Sequence, residues 1–295
     1  MPSTWKWIKA VLAHEFRLES FLLQFSNPEL FSESPWFPPA LFVIYRLIAT
    51  SCCIILTVDS VVHNPSYRWT LQFESWSISA VCAYFSLSTC LLVYSTFKEW
   101  RENIKTKEDP KHTEGGEDSH WFENDDSSEN ELLWNVPGYE EDERLKKLEN
   151  ADRLSCCHKI IWLLRSIAQS SILVVIACYV LLENHVTLII LAGYISFAFF
   201  LFADAIFSFA PIRLAHTVYA LLFSLIYILV IFVLYFVLDV YHEMTDLPRF
   251  VGRVQSDTSS ILVLVILFIG QPLFQMFYFI VHKLNTLVYI KYYGY

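Results

Sequence analysis

An all-α fold, a bundle of six membrane-spanning helices with both termini cytoplasmic, is what this sequence predicts. Three observations carry that expectation. The chain is 55% hydrophobic and 17% aromatic but only 17% charged, where a soluble domain of this size carries about 25% charge. Its apolar residues fall in long runs, not in the short patterned segments of a soluble core. Each run reaches the roughly 20 residues that the hydrocarbon thickness demands. Helices are the structure that such runs can adopt, because an unpaired strand edge is not stable in lipid and the alternation of a membrane barrel is absent.

Taken in order, residues 1–38 form an amino-terminal cytoplasmic or interfacial segment. Trp5, Lys6, Trp7, Ile8, Lys9, Leu12 and Phe16 mix aromatic and basic groups, as in a helix lying on a membrane surface or packed on the bundle. Pro28, Pro35, Pro38 and Pro39 break any helix before the first span. The spans are expected at 40–62, 75–97, 160–182, 186–209, 214–238 and 259–281. They divide the chain into 39–97 (spans one and two), 98–158 (a loop), 159–282 (spans three to six) and a tail, 283–295. Of the 21 Lys and Arg residues, sixteen fall in the candidate inside segments and three in the candidate outside loops, Arg68, Arg249 and Arg253. That asymmetry puts both termini in the cytoplasm.

The formal net charge of −9 is concentrated in the loop 98–158, whose basic ends flank an acidic centre. A segment of that composition buries too little apolar surface to fold alone and reads as disordered. Trp121, Phe122, Leu132, Leu133 and Trp134 offer a short motif for a protein partner, and Ser127 and Ser128 are phosphorylation candidates. The acidic balance argues against nucleic acid, which needs a basic face. Five of the seven cysteines lie in apolar runs, and no spacing resembles a metal site. No metal and no cofactor are expected. Cys156 and Cys157, just before an apolar run, are palmitoylation candidates.

An ionisable group within a span is costly and has a partner or a job. Arg46 opens span one, Arg165 opens span three, Asp204 lies late in span four, and Arg213 and His216 begin span five. All five fall toward the same side, so a polar cluster with Asp204 compensated by arginine is expected, as an ion pair or a ligand site. On span four, Tyr194, Phe197, Leu201 and Asp204 recur at i, i+3, i+7 and i+10 and share one face. That spacing fits helix packing or the lining of a lipid pocket. Gly270-Gln271-Pro272 falls near the middle of the expected sixth span, where proline predicts a kink. A broken helix at that depth is also a transporter feature.

Several of these residues form a longer pattern. Glu15-Phe16, Pro28, Phe31, Ser34 and Trp36 precede Tyr45-Arg46 at span one and Trp76 at span two. Asp204 is then followed by Pro211, Arg213-Leu214, His216, Tyr219 and Tyr227. In this order the chain resembles the rolling stone family of six-span membrane proteins, related to the androgen-inducible transmembrane hydrolases. The resemblance implies a multi-pass protein acting in membrane or cell–cell interaction such as myoblast fusion, with membrane lipid as its surroundings and ligand. It favours the plasma membrane over the endoplasmic reticulum. The hydrolase relatives cleave fatty-acid esters of hydroxy fatty acids with a threonine nucleophile and a histidine, a chemistry that needs a base beside the hydroxyl. This sequence departs at both positions. Glu74 stands at the threonine, Tyr194 at the histidine, and Phe197 at an asparagine that often follows. Ser75 and Ser77 supply hydroxyls nearby, with no histidine close in sequence. No catalytic residue is therefore assigned. The non-catalytic reading is the expectation, with an intramembrane lipid-ester hydrolase and a transporter as alternatives.

Overall fold

The computed structural model describes Glu15, Phe21, residues 28–62, Trp69 and residues 72–108, 156–182, 187–236 and 264–293. A 3-10 turn at Pro28–Phe31 leads to helix α1, Pro39–Val62. Helices α2, Phe73–Glu108, and α3, Cys156–Leu182, follow. Next come α4, Leu188–Phe207, a 3-10 turn at Leu214–His216 and α5, Thr217–Phe236. A π-turn at Ile266–Gly270 then runs directly into α6, Gln271–Tyr293. The described residues contain no strand. Six helices are long and apolar enough to cross a membrane, so this is an integral, multi-pass membrane protein.

Helix α3 is the axis of the bundle. Its neighbours bury most of its surface, while α1 and α5 leave most of theirs outward. Small and hydroxylic residues make this close approach available. Ser166, Ala168, Ser170 and Ser171 on α3 are buried, as are Ser75, Ser77 and Ser88 on α2. Most of these hydroxyls return to their own helix. Ser166 donates to the Trp162 carbonyl (3.1 Å), Ser170 to that of Ser166 (3.0 Å) and Ser77 to that of Phe73 (3.0 Å). Apolar side chains such as Ile55, Leu229, Phe232 and Leu273 point outward, as a hydrocarbon solvent requires.

The connection between α4 and α5 lies against α3, which satisfies its backbone. The Trp162 indole donates to the Pro211 carbonyl (2.8 Å), and Arg165 Nη1 donates to that of Ala210 (2.6 Å). The Ser208 hydroxyl accepts from the Ala210 N–H (3.2 Å), and the Phe209 N–H reaches the Glu33 carbonyl (3.3 Å). A buried turn needs such partners, since its polar groups are shielded from water.

The described part of the amino-terminal segment is packed on the bundle. Glu15 is buried and accepts from the Leu214 N–H (3.2 Å), and the Tyr219 hydroxyl donates to the Phe21 carbonyl (2.5 Å). Burial pushes the Glu15 carboxyl above its ordinary value, against the opposing pull of Lys283 and Arg213. Phe31 meets Trp162 edge-on at 5.8 Å. Trp36 donates to Asn285 Oδ1 (2.9 Å), and Asn285 donates in turn to the Ile206 carbonyl (2.7 Å). Residues 5–12 and Phe16 lie outside the described residues.

Three expected boundaries need correction. Residues 98–108 and 156–158, expected in a disordered loop, belong to α2 and α3; a mixed charged segment continues a helix already nucleated by its apolar part. The aromatic motif, Ser127 and Ser128 lie outside the described residues. The last helix continues past 281 to Tyr293, so the expected tail is largely helical. Pro272 sits at the start of α6 beside a π-turn. Its ring displaces the carbonyl four residues back, Phe268, and that carbonyl falls within the widened turn.

Candidate functional site

Near the α4–α5 end, the interior of the bundle holds one carboxylate and two guanidiniums. Asp204 is fully buried on α4, one helical turn before the α4–α5 connection. Arg46 of α1 reaches Asp204 Oδ1 through Nη2 at 2.6 Å. Arg165 of α3 lies 3.4 Å from Oδ2 and also donates to the Asp204 carbonyl (3.3 Å). The Tyr84 hydroxyl of α2 donates to Oδ2 (2.5 Å). Arg46 Nη1 completes the ring by donating to Ser88 Oγ (2.5 Å) and to the Tyr84 hydroxyl (3.4 Å). Its guanidinium also lies over the rings of Phe42 (5.1 Å) and Tyr84 (5.6 Å). One acidic side chain thus ties four helices together. The arrangement is multidentate and charge-assisted, the form in which a buried charge becomes tolerable.

The structure divides the five polar residues singled out in the sequence. Arg46, Arg165 and Asp204 form the cluster just described. Arg213 and His216 gather on Trp162. The Arg213 guanidinium lies 5.5 Å from the Trp162 ring, and the His216 ring meets that indole edge-on at 4.5 Å. His216 Nδ1 stands 3.4 Å from Ser166 Oγ. The sequence reading missed Tyr84, Ser88 and Trp162. Tyr84 and Ser88, four residues apart on one face of α2, were the available signal.

At the other end of the bundle, the Tyr194 hydroxyl donates to Glu74 Oε2 (2.5 Å), joining α4 to α2. Tyr179 packs edge-on against Tyr194 at 5.6 Å. Phe73 and Trp76 meet Tyr227 of α5 edge-on at 5.1 and 5.6 Å. Tyr194, Phe197, Leu201 and Asp204 are all buried, so their shared face is the inner face of α4. Ser75 and Ser77 are buried on α2. Cys156 and Cys157 are exposed at the start of α3. Among the described residues, no group of His, Cys, Asp and Glu could hold a metal ion.

No family model, curated protein or solved structure matches this chain.

Replacing Asp204 by alanine leaves two buried guanidiniums without their counter-charge. We expect a loss of about 3–5 kcal/mol, read as a lower melting temperature in detergent. An unchanged melting curve would show that the cluster contributes nothing to stability.

Proposed function

We propose that this chain is a rolling-stone-like, non-catalytic protein of the plasma membrane that acts in membrane or cell–cell interaction and holds a lipid between its helices. The contact between Glu74 and Tyr194 carries this reading. These are the positions at which the resemblance puts a nucleophile and its histidine. That they meet across α2 and α4 supports the alignment. A carboxylate and a phenol that satisfy one another supply neither the hydroxyl nor the imidazole of that reaction. The nearby Ser77 hydroxyl donates into its own helix. Residues 98–158 are proposed as the contact to a protein partner. Both termini are proposed to be cytoplasmic, on the strength of the Lys and Arg asymmetry.

A second reading, a lipid-ester hydrolase, draws on Ser166 and His216. Their 3.4 Å separation is longer than the roughly 2.6–3.2 Å of a working nucleophile and base. The Ser166 hydroxyl also donates to the Trp162 carbonyl.

Two measurements test these proposals. A fluorophosphonate probe on the purified chain in nanodiscs should leave it unlabelled, and hydroxy-fatty-acid esters should not turn over. Labelling that disappears in Ser166→Ala or Ser75→Ala would establish the hydrolase. Tags at both termini should be reached by antibody only after the plasma membrane is permeabilised. Staining of intact cells would reverse the topology.

A further inference from the structure

Helix α6 carries a polar stripe that the ion cluster does not use. Gln271, Gln275, Tyr278 and His282 recur at i, i+4, i+7 and i+11, on one face and over about 16 Å of helix. The two glutamines and Tyr278 are almost wholly buried, and His282 is half-buried. Gln271 Nε2 donates to Ser224 Oγ of α5 (2.5 Å), and Gln275 Nε2 donates to the Arg213 carbonyl (3.1 Å). With both amide nitrogens committed, each glutamine presents its oxygen as a free acceptor.

Of the ten buried side-chain polar atoms without a hydrogen-bond partner among the described residues, three belong to this stripe. They are Gln271 Oε1, Gln275 Oε1 and His282 Nδ1. Three more, Arg165 Nε and Gln169 Nε2 of α3 and His216 Nε2 of the turn before α5, lie on elements that pack against α6. Helix α6 packs directly against α3, α5 and the turn at Leu214–His216, so these polar groups sit on adjoining elements. A buried polar atom left unmatched costs about 1–3 kcal/mol. Three along a stripe of this length, with three more on the elements packed against it, are too spread for one head group and too mixed, donors with acceptors, for one ion. Small molecules that both donate and accept meet that demand.

We propose that the polar faces of α3, α5 and α6 enclose a file of water molecules that admits protons to the middle of the bundle. The file opens at the His282 end, where exposure is greatest. It closes at the π-turn, where Ile266 and Leu267 are buried and apolar. Buried apolar side chains beside a turn of irregular geometry are a physical basis for a gate. This assignment is independent of whether the chain binds a lipid or hydrolyses one.

X-ray hydroxyl-radical labelling of the full chain in nanodiscs, read by mass spectrometry, tests it. Radicals arise from water in place, so a buried ring is oxidised only where water touches it. Tyr278, 1% exposed, should be oxidised roughly fivefold or more faster than Phe85, which is 0% exposed. In Gln275→Leu the Tyr278 rate should fall to that of Phe85, with exposed Tyr292 unchanged as the internal standard. Tyr278 labelled no faster than Phe85 in the unaltered chain overturns the proposal, and that comparison stands even if the variant does not fold. Tyr278 labelling that persists in a folded Gln275→Leu chain overturns it as well.

Discussion

A fully buried carboxylate in a membrane-spanning helix is the constraint around which this bundle is arranged. Asp204 can remain charged there only if other charges and dipoles replace its hydration. Arg46 and Arg165 supply the charge, and Tyr84 supplies a further hydrogen bond. Each comes from a different helix, so satisfying Asp204 sets the mutual positions of α1, α2, α3 and α4. Van der Waals packing alone is a weak selector between apolar helices in lipid, whose tails are as apolar as the helices. A buried ion pair of this geometry supplies register even where its net stabilisation is small.

The same economy governs the α4–α5 connection. Arg165 serves both the Asp204 carboxylate and the Ala210 carbonyl. Trp162, one turn earlier on α3, serves Pro211 with its indole N–H and offers its ring to Arg213 and His216. One face of α3 therefore holds the ion cluster, the turn and the start of α5. The amino-terminal segment reaches this end through Glu15 and Phe31, and Asn285 of α6 closes it from the other side. Polar interactions gather here, while Phe73, Trp76 and Tyr227 make the opposite end largely aromatic.

The six spans were legible because run length and hydropathy reflect a property of the solvent, the thickness of the hydrocarbon. The cost of an unmatched charge made Asp204 and its arginines legible too. Helix ends were less so. The extension of α2 to Glu108 and of α6 to Tyr293 lies in mixed or amphipathic sequence, where hydropathy falls before the helix stops. Pro272 signalled a disturbed backbone, but the choice between a kink and a π-turn depends on neighbours that sequence does not name. The contact of Glu74 with Tyr194 joins residues 120 positions apart, and the pattern of neither helix alone names it. The burial of Gln169, Gln271 and Gln275 is set by how the helices pack, which residue type alone does not signal.

A double-mutant cycle in detergent, with Arg46→Met, Asp204→Asn and the pair together, probes the central interaction most directly. The account predicts that the double variant is more stable than the sum of the single losses implies, by a coupling of about 1–3 kcal/mol. Strictly additive losses would contradict it, and the bundle would then owe its register to packing alone.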